Sequence, residues 1–274
     1  MNKEKCVLVC GVGERASAVA RRLLGEGYAV VLHQEAPPRA LRRRMCFADA
    51  WFDGVATLNA VEARLAGSSA EFLRGMQTRQ FIPILLRPFG EVASRWPWDV
   101  IVAAPDEHDP PPPRLADLAE LTIAVGDGAI AGTDCDVVVV ADGPDPGAVL
   151  RPGETRPNRP PQYDRRALER WDVIAPCAGR LDAMATIGAR VRAGEAIGCL
   201  GGEEVLAPVG GRVSGLARPE QQAFPGMPIA EITVADTAPV IGVTERNKLI
   251  ARSVAFVLEM EGSGWTPARF GVGC

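Results

Sequence analysis

Residues 6–35 read CVLVCGVGERASAVARRLLGEGYAVVLHQE, and the first half of the fold turns on this stretch. The run 6–11 is short and apolar. Gly11-x-Gly13-x-x-Ala16 follows and leads into 16–24, where Ala16, Val19, Ala20, Leu23 and Leu24 recur at helical spacing. Gly25 and Gly27 stop that helix, and 28–32 is a second β-rich run ending in His33-Gln34-Glu35. Strand, glycine turn, helix and strand together make a βαβ unit. Further strands are predicted at 82–86, 99–103, 121–125 and 136–140, with helices at 41–49, 70–77 and 115–118. Strands alternating with helices mean a mostly parallel sheet covered on both faces, a Rossmann-like α/β domain over 1–141.

Beyond Ala141 the pattern changes. The stretch 142–170 is rich in Pro and Gly with no periodic apolar face and reads as a linker, and the proline run at 106–113 (DEHDPPPP) reads as a second excursion. Then Ala175-Pro176-Cys177-Ala178-Gly179-Arg180-Leu181 recurs as Ala207-Pro208-Val209-Gly210-Gly211-Arg212-Val213, and the turn at Gly194 recurs at Gly226, both offset by 32 residues. Two motifs sharing one offset imply duplicated β-units, each too small to bury its apolar face alone. The expectation is a closed all-β module over 171–234, with Gly179 equivalent to Gly211 and Gly194 to Gly226. The segment 235–274 is expected to return to the α/β domain.

Composition bounds the function. The 274 residues carry 30 basic and 34 acidic side chains, a net charge of -4, so a nucleic-acid partner is not expected. Seven scattered cysteines without a C-x-x-C pair fit a reduced, cytoplasmic chain, and the N-terminal apolar run is too short for a signal-peptide core or a membrane span. The two histidines, His33 and His108, lie 75 residues apart with no ligand spacing, so no metal site is expected. No G-x-S-x-G occurs, and no catalytic residue is assigned.

The candidate site is the first glycine turn. Gly11, Gly13 and Ala16 would let helix-terminal amides approach a phosphate, and Glu35 stands where an acidic residue binds a ribose hydroxyl. The competing reading is a bare tight connection with Glu35 solvated. Arg39, with Arg42, Arg43 and Arg44, would hold a second phosphate or a pterin-type anion, or would form a solvated face. Gly126 and Gly128 flank Asp127 at the expected carboxyl edge of the sheet. Cys135 is either a reactive thiol or a buried inert one.

The Ala-Pro-x-x-Gly-Arg repeats resemble the two halves of a biotinyl/lipoyl-like barrel-sandwich hybrid. Carrier members of that family modify a lysine at the hairpin between the halves. Here the hairpin reads Cys199-Leu200-Gly201-Gly202-Glu203-Glu204-Val205, and no lysine lies between Lys5 and Lys248, so attachment of biotin or lipoate is not expected. The hairpin is expected instead to contact the N-terminal domain or a client protein. From about residue 7 to 260 the chain resembles the bacterial selenium-dependent molybdenum hydroxylase system proteins, through the GVGERASAVARRLLGEGYAVVLHQEAPPRALRRRMCFADAWFDG opening, the IAVGDGAIAGTDCDVVVVADG segment and the APCAGR to GGRVSGL tail. The resemblance implies a cytoplasmic accessory protein for maturation or cofactor insertion of a molybdenum-containing hydroxylase. It further implies a nucleotide or molybdopterin-type cofactor at the glycine turn and a client hydroxylase or its maturation machinery as partner. Two alternatives stay open: an NAD(P)-dependent oxidoreductase, and a purely structural interaction protein with a degenerate site. The latter is favoured by Gly126-Asp127-Gly128-Ala129 standing where the family carries a Gly-Pro-Gly-Phe-like turn. Oligomeric state is open.

Overall fold

The computed structural model describes residues 5–106, 109, 113–154 and 170–262. His108, most of the proline run, residues 155–169 of the expected linker and Cys274 lie outside them.

The first half is a nine-stranded sheet. In chain order its elements are β1 (Cys6–Cys10), α1 (Glu14–Gly25), β2 (Ala29–His33), α2 (Ala50–Asp53), β3 (Val55–Leu58), β4 (Val61–Leu65), α3 (Ser69–Thr78), β5 (Ile82–Leu85), α4 (Phe89–Arg95), β6 (Val100–Ala103), β7 (Leu121–Val125), β8 (Val137–Val139) and β9 (Val149–Leu150). The strands lie in the order β3-β4-β5-β2-β1-β6-β7-β8-β9. All neighbours are parallel except β3 with β4 and β8 with β9. The inner order β5-β2-β1-β6-β7-β8 is that of a doubly wound sheet, whose direction of travel reverses between β1 and β6. Val7, Val9, Val30 and Leu32 on one face and Leu8 and Val31 on the other are all at most 2% exposed, because helices cover both faces.

Two predicted helices are not formed. Residues 41–49 contain only a 3-10 turn at Arg43–Met45 before the short α2. Tertiary bonding overrides helical spacing here: the Leu41 carbonyl accepts from Leu216 N of the second half at 2.9 Å, and Phe47 N donates to Val12 O at 3.2 Å and to the Ser17 hydroxyl at 2.9 Å. Residues 115–118 form a turn, held by Leu115 N and Ala116 N donating to Asp134 O. The β3–β4 hairpin and α4 were not expected. β3 and β4 are linked through Asn59 and Ala60, both at positive φ, without the Asn-Gly or Asp-Gly signal that marks such a turn. β9 falls inside the stretch read as linker and closes the sheet edge.

The second half consists of β10 (Arg170–Ile174), β11 (Gly179–Ala183), β12 (Arg190–Val191), β13 (Ala196–Leu200), β14 (Glu203–Leu206), β15 (Gly211–Leu216), β16 (Gln222–Ala223) and β17 (Pro228–Thr233). They form two four-stranded sheets, β10-β17-β15-β12 and β14-β13-β11-β16. Exchanging each strand for its mate 32 residues away turns one order into the other. Hydrogen bonds repeat at the same offset. Gly194 N and Ala207 N bond Ala207 O and Glu195 O, while Gly226 N and Ala175 N bond Ala175 O and Met227 O. Gly179 pairs with Ala223 as Gly211 pairs with Val191, and Gly194 and Gly226 share left-handed φ values of 79° and 86°. The duplicated module is therefore a sandwich of two interlocked halves around its own core of Leu181, Ile197, Val213 and Ile232. The hairpin from Gly201 to Glu204 is exposed rather than packed against the first half.

The chain ends its described course in α5 (Glu245–Gly262). Ile250, Val254, Val257 and Leu258 of this helix are buried in the core that holds α1 and the first-half strands. No helix among the described residues is long and apolar enough to cross a membrane.

Candidate functional site

At the carboxyl ends of β1 and β6, where the strand order reverses, lies a crevice of about 770 Å³. Ligands of open α/β sheets bind at this position. Its walls come from both halves of the chain, including Arg15, Arg42, Asp106, Asp142, Arg170 and Glu231.

The glycine turn is built as the sequence implies. Gly11 has φ +115°, and a β-carbon there would lie 3.1 Å from both Ala104 O and the Ala16 side chain. Only glycine at 11 and a small residue at 16 permit this close strand-to-helix packing. Gly13 precedes α1 and contributes no side-chain cap. The cap comes from elsewhere: Asp106, just past β6, accepts from Glu14 N at 2.5 Å and Arg15 N at 3.2 Å. A side chain at Gly13 would collide with the Asp106 carboxylate. The position that a ligand phosphate takes in such folds is therefore held by an aspartate of the chain, which also complements the helix dipole.

A second internal carboxylate sits nearby. Asp142, just past β8, is bound by Arg15 at 2.9 Å and by Arg246 of α5, which also donates to Ala141 O at 2.8 Å. Each aspartate opens one of the two proline-rich excursions.

Between the halves runs a charged clamp. Arg42 donates to Glu14 Oε1 at 2.9 Å and to both oxygens of Glu231 at 3.0 and 3.1 Å, and the Ser214 hydroxyl donates to Glu231 at 2.6 Å. The bulge of β15 between Val213 and Gly215 brings the module backbone against Leu41 and Arg42, a bulge that β11 lacks in its pairing with β13. Burial pushes the Glu14 carboxyl up to about 7, with Arg42 opposing and Asp106 reinforcing the rise. Burial would raise Glu231 too, but Arg42, the Ser214 hydroxyl and Arg170 outweigh it and hold that carboxyl below its ordinary value.

The other expected site residues separate. Arg42, Arg43 and Arg44 are engaged in holding the module: Arg43 Nε donates to Leu216 O at 2.9 Å and Arg44 to Ile187 O at 3.2 Å. Arg44 is nonetheless exposed, and Arg42 lines the crevice. Arg39 is exposed on the crevice wall. Glu35 is exposed and accepts from Phe89 N at 3.1 Å at the start of α4, and it does not line the crevice. Gly126 and Gly128 both have positive φ, Asp127 between them lines the crevice, and a β-carbon at Gly126 would lie 3.4 Å from the Arg15 guanidinium. Cys135 is 2% exposed with its thiol raised by burial, and burial pushes Cys10 up to about 12, so both are poor nucleophiles.

Asp106, Asp142, Glu14, Arg15, Glu231 and Arg246 were missed by sequence reasoning. For the two aspartates a signal existed, since each directly follows an apolar strand at the ligand-binding edge. For the clamp none did, because Arg42 and Glu231 are 189 residues apart.

No protein-family model matches the chain. The chain is 32% identical over 261 residues to the "Uncharacterized protein YqeB" of Escherichia coli (strain K12). The match takes in 93% of this chain and 47% of the relative, so the chain spans about half the length of the curated relative it matches. Its extent across both halves makes the α/β domain and the duplicated module one unit of similarity.

Proposed function

We propose that the protein is a binding and accessory factor for the maturation or cofactor insertion of a molybdenum-containing hydroxylase, holding a nucleotide or pterin-type phosphate in the crevice between its halves. The carrying observation is the pair of internal carboxylates. Asp106 on the α1 amides and Asp142 between Arg15 and Arg246 fill two positions built for anions, on the wall of a crevice of about 770 Å³. That volume is in the range that takes a nucleotide or a phosphorylated pterin, with the phosphate at one of these positions and the ring in the open crevice. The client class comes from the family resemblance of the sequence. Residues that would hold the ligand are Gly11 and Gly13 through the turn, Arg15, Arg246 and Arg39 through their guanidiniums, and Gly126 and Gly128 through the opposite loop.

Hydride transfer is the weaker reading. Glu35, the residue that would bind a dinucleotide's ribose, accepts from Phe89 N at the start of α4 and does not line the crevice. Calorimetric titration of the wild type and Asp106→Ala with mononucleotides, NAD(P)H and molybdopterin compounds tests the proposal. Removing the competing carboxylate should tighten phosphate-ligand binding about tenfold or more, roughly the worth of one charge-assisted hydrogen bond. Silence of both proteins toward every compound leaves the interaction-scaffold reading instead.

A further inference from the structure

The outer face of α5 carries an exposed apolar and charged stripe. Leu249 and Phe256 are 44% and 52% exposed, although the opposite face of the helix is buried against α1. Arg252 and Glu259, also exposed, flank Phe256 at four residues before and three after. Arg252 acts electrostatically on Glu245 and Glu259 on Tyr28, but neither closes to ion-pair distance with another described residue. Leu249, Arg252, Phe256 and Glu259 are spaced 3, 4 and 3 residues apart and so share one face of the helix.

We infer that this face binds a second copy of the chain, α5 against α5, antiparallel about a two-fold axis near Phe256. The Arg252, Phe256 and Glu259 part of the stripe is self-complementary in that arrangement and not in a parallel one. At 1.5 Å per residue, Arg252 lies about 6 Å to one side of Phe256 along the axis and Glu259 about 4.5 Å to the other. An antiparallel mate therefore sets each Arg252 opposite the mate's Glu259, twice by symmetry, with the two Phe256 rings packed between them. A parallel mate would place Arg252 on Arg252 and Glu259 on Glu259. Isologous contacts of this kind close on themselves and give a dimer rather than a filament. The charges flanking the ring also separate this face from a lipid-binding helix, which places its apolar residues in an uninterrupted band.

The test is sedimentation velocity of the full chain over a range of concentrations, and it is independent of any ligand. The wild type should be a concentration-dependent dimer. Phe256→Asp should weaken it about thirtyfold, the loss expected for a central aromatic anchor. Arg252→Glu and Glu259→Arg should each be monomeric at concentrations where the wild type pairs, because in the antiparallel arrangement each sets like charges against each other. Mixing these two variants should restore a dimer, since one chain then carries two acidic side chains on the stripe and the other two basic ones. The double variant Arg252→Glu/Glu259→Arg should pair with itself as the wild type does, its charges being exchanged but still complementary. Circular dichroism checks that every variant is folded. A wild type that stays monomeric throughout, a dimer that none of the three single substitutions weakens, or charge variants that fail to pair on mixing would each overturn the inference.

Discussion

Arg42→Met is the perturbation that weighs most on how the two halves hold together. The substitution keeps much of the aliphatic stem but removes the bonds to Glu14 at 2.9 Å and to both Glu231 oxygens at 3.0 and 3.1 Å. Glu231, 7% exposed, would keep the Ser214 hydroxyl and Arg170, whose Nε is 3.9 Å away. Breaking a buried pair by deleting one partner leaves an uncompensated charge and costs about 3–5 kcal/mol. For a chain of this size that corresponds to a fall in Tm on the order of 6–20 °C. The assay is urea denaturation followed by circular dichroism and by tryptophan fluorescence, to which Trp171 of the module contributes. Adding Glu231→Gln to Arg42→Met should recover part of the loss, because the stranded charge is then gone. A loss below about 1 kcal/mol for Arg42→Met would refute the reasoning, for it would put the clamp in the class of solvated surface pairs.

Three other outcomes follow from the structure. Glu14→Gln should gain in stability relative to the wild type as pH rises from about 4.5 to 7, by at most about 1.4 kcal/mol per pH unit. The raised Glu14 carboxyl contributes stability below its ordinary value and loses it on ionising through about 7, so chemical denaturation across that range reads the slope. Gly194→Ala and Gly226→Ala should destabilise equally, by about 1–2 kcal/mol each, since both positions are left-handed with open space around them, and unequal costs in thermal melts would break the two-fold equivalence. Cys135 should react with a thiol reagent only on unfolding, and rapid native labelling would contradict its burial-raised thiol.

How much of this was legible in the sequence differs sharply between the halves. The β1-α1-β2 unit could be read because its apolar periods are local, and the module because duplication wrote its topology twice. The 32-residue offset carries strand order, turn geometry and glycine conformation together. Residues 41–49 misled because their helical spacing serves a different end. Arg42, Arg43 and Arg44 point at partners in the module, and a chain that must bond Leu216 through Leu41 and Val12 through Phe47 cannot also wind into a helix. The same long-range contacts tie the guanidiniums of Arg42, Arg43 and Arg44 to partners within the chain, although Arg42 still lines the crevice. Asp106 shows the opposite case. The glycine fingerprint announces helix amides ready for an anion, but it does not say whether the anion comes from a ligand or from a loop 92 residues away.

Whether the crevice is a ligand site is tested most directly by native mass spectrometry of freshly purified wild type and Asp106→Ala protein. The account predicts an added mass matching a nucleotide or pterin cofactor, at higher occupancy in the variant because the competing carboxylate is gone. Both proteins at their bare sequence masses, unchanged after incubation with nucleotides and molybdopterin compounds, would contradict it.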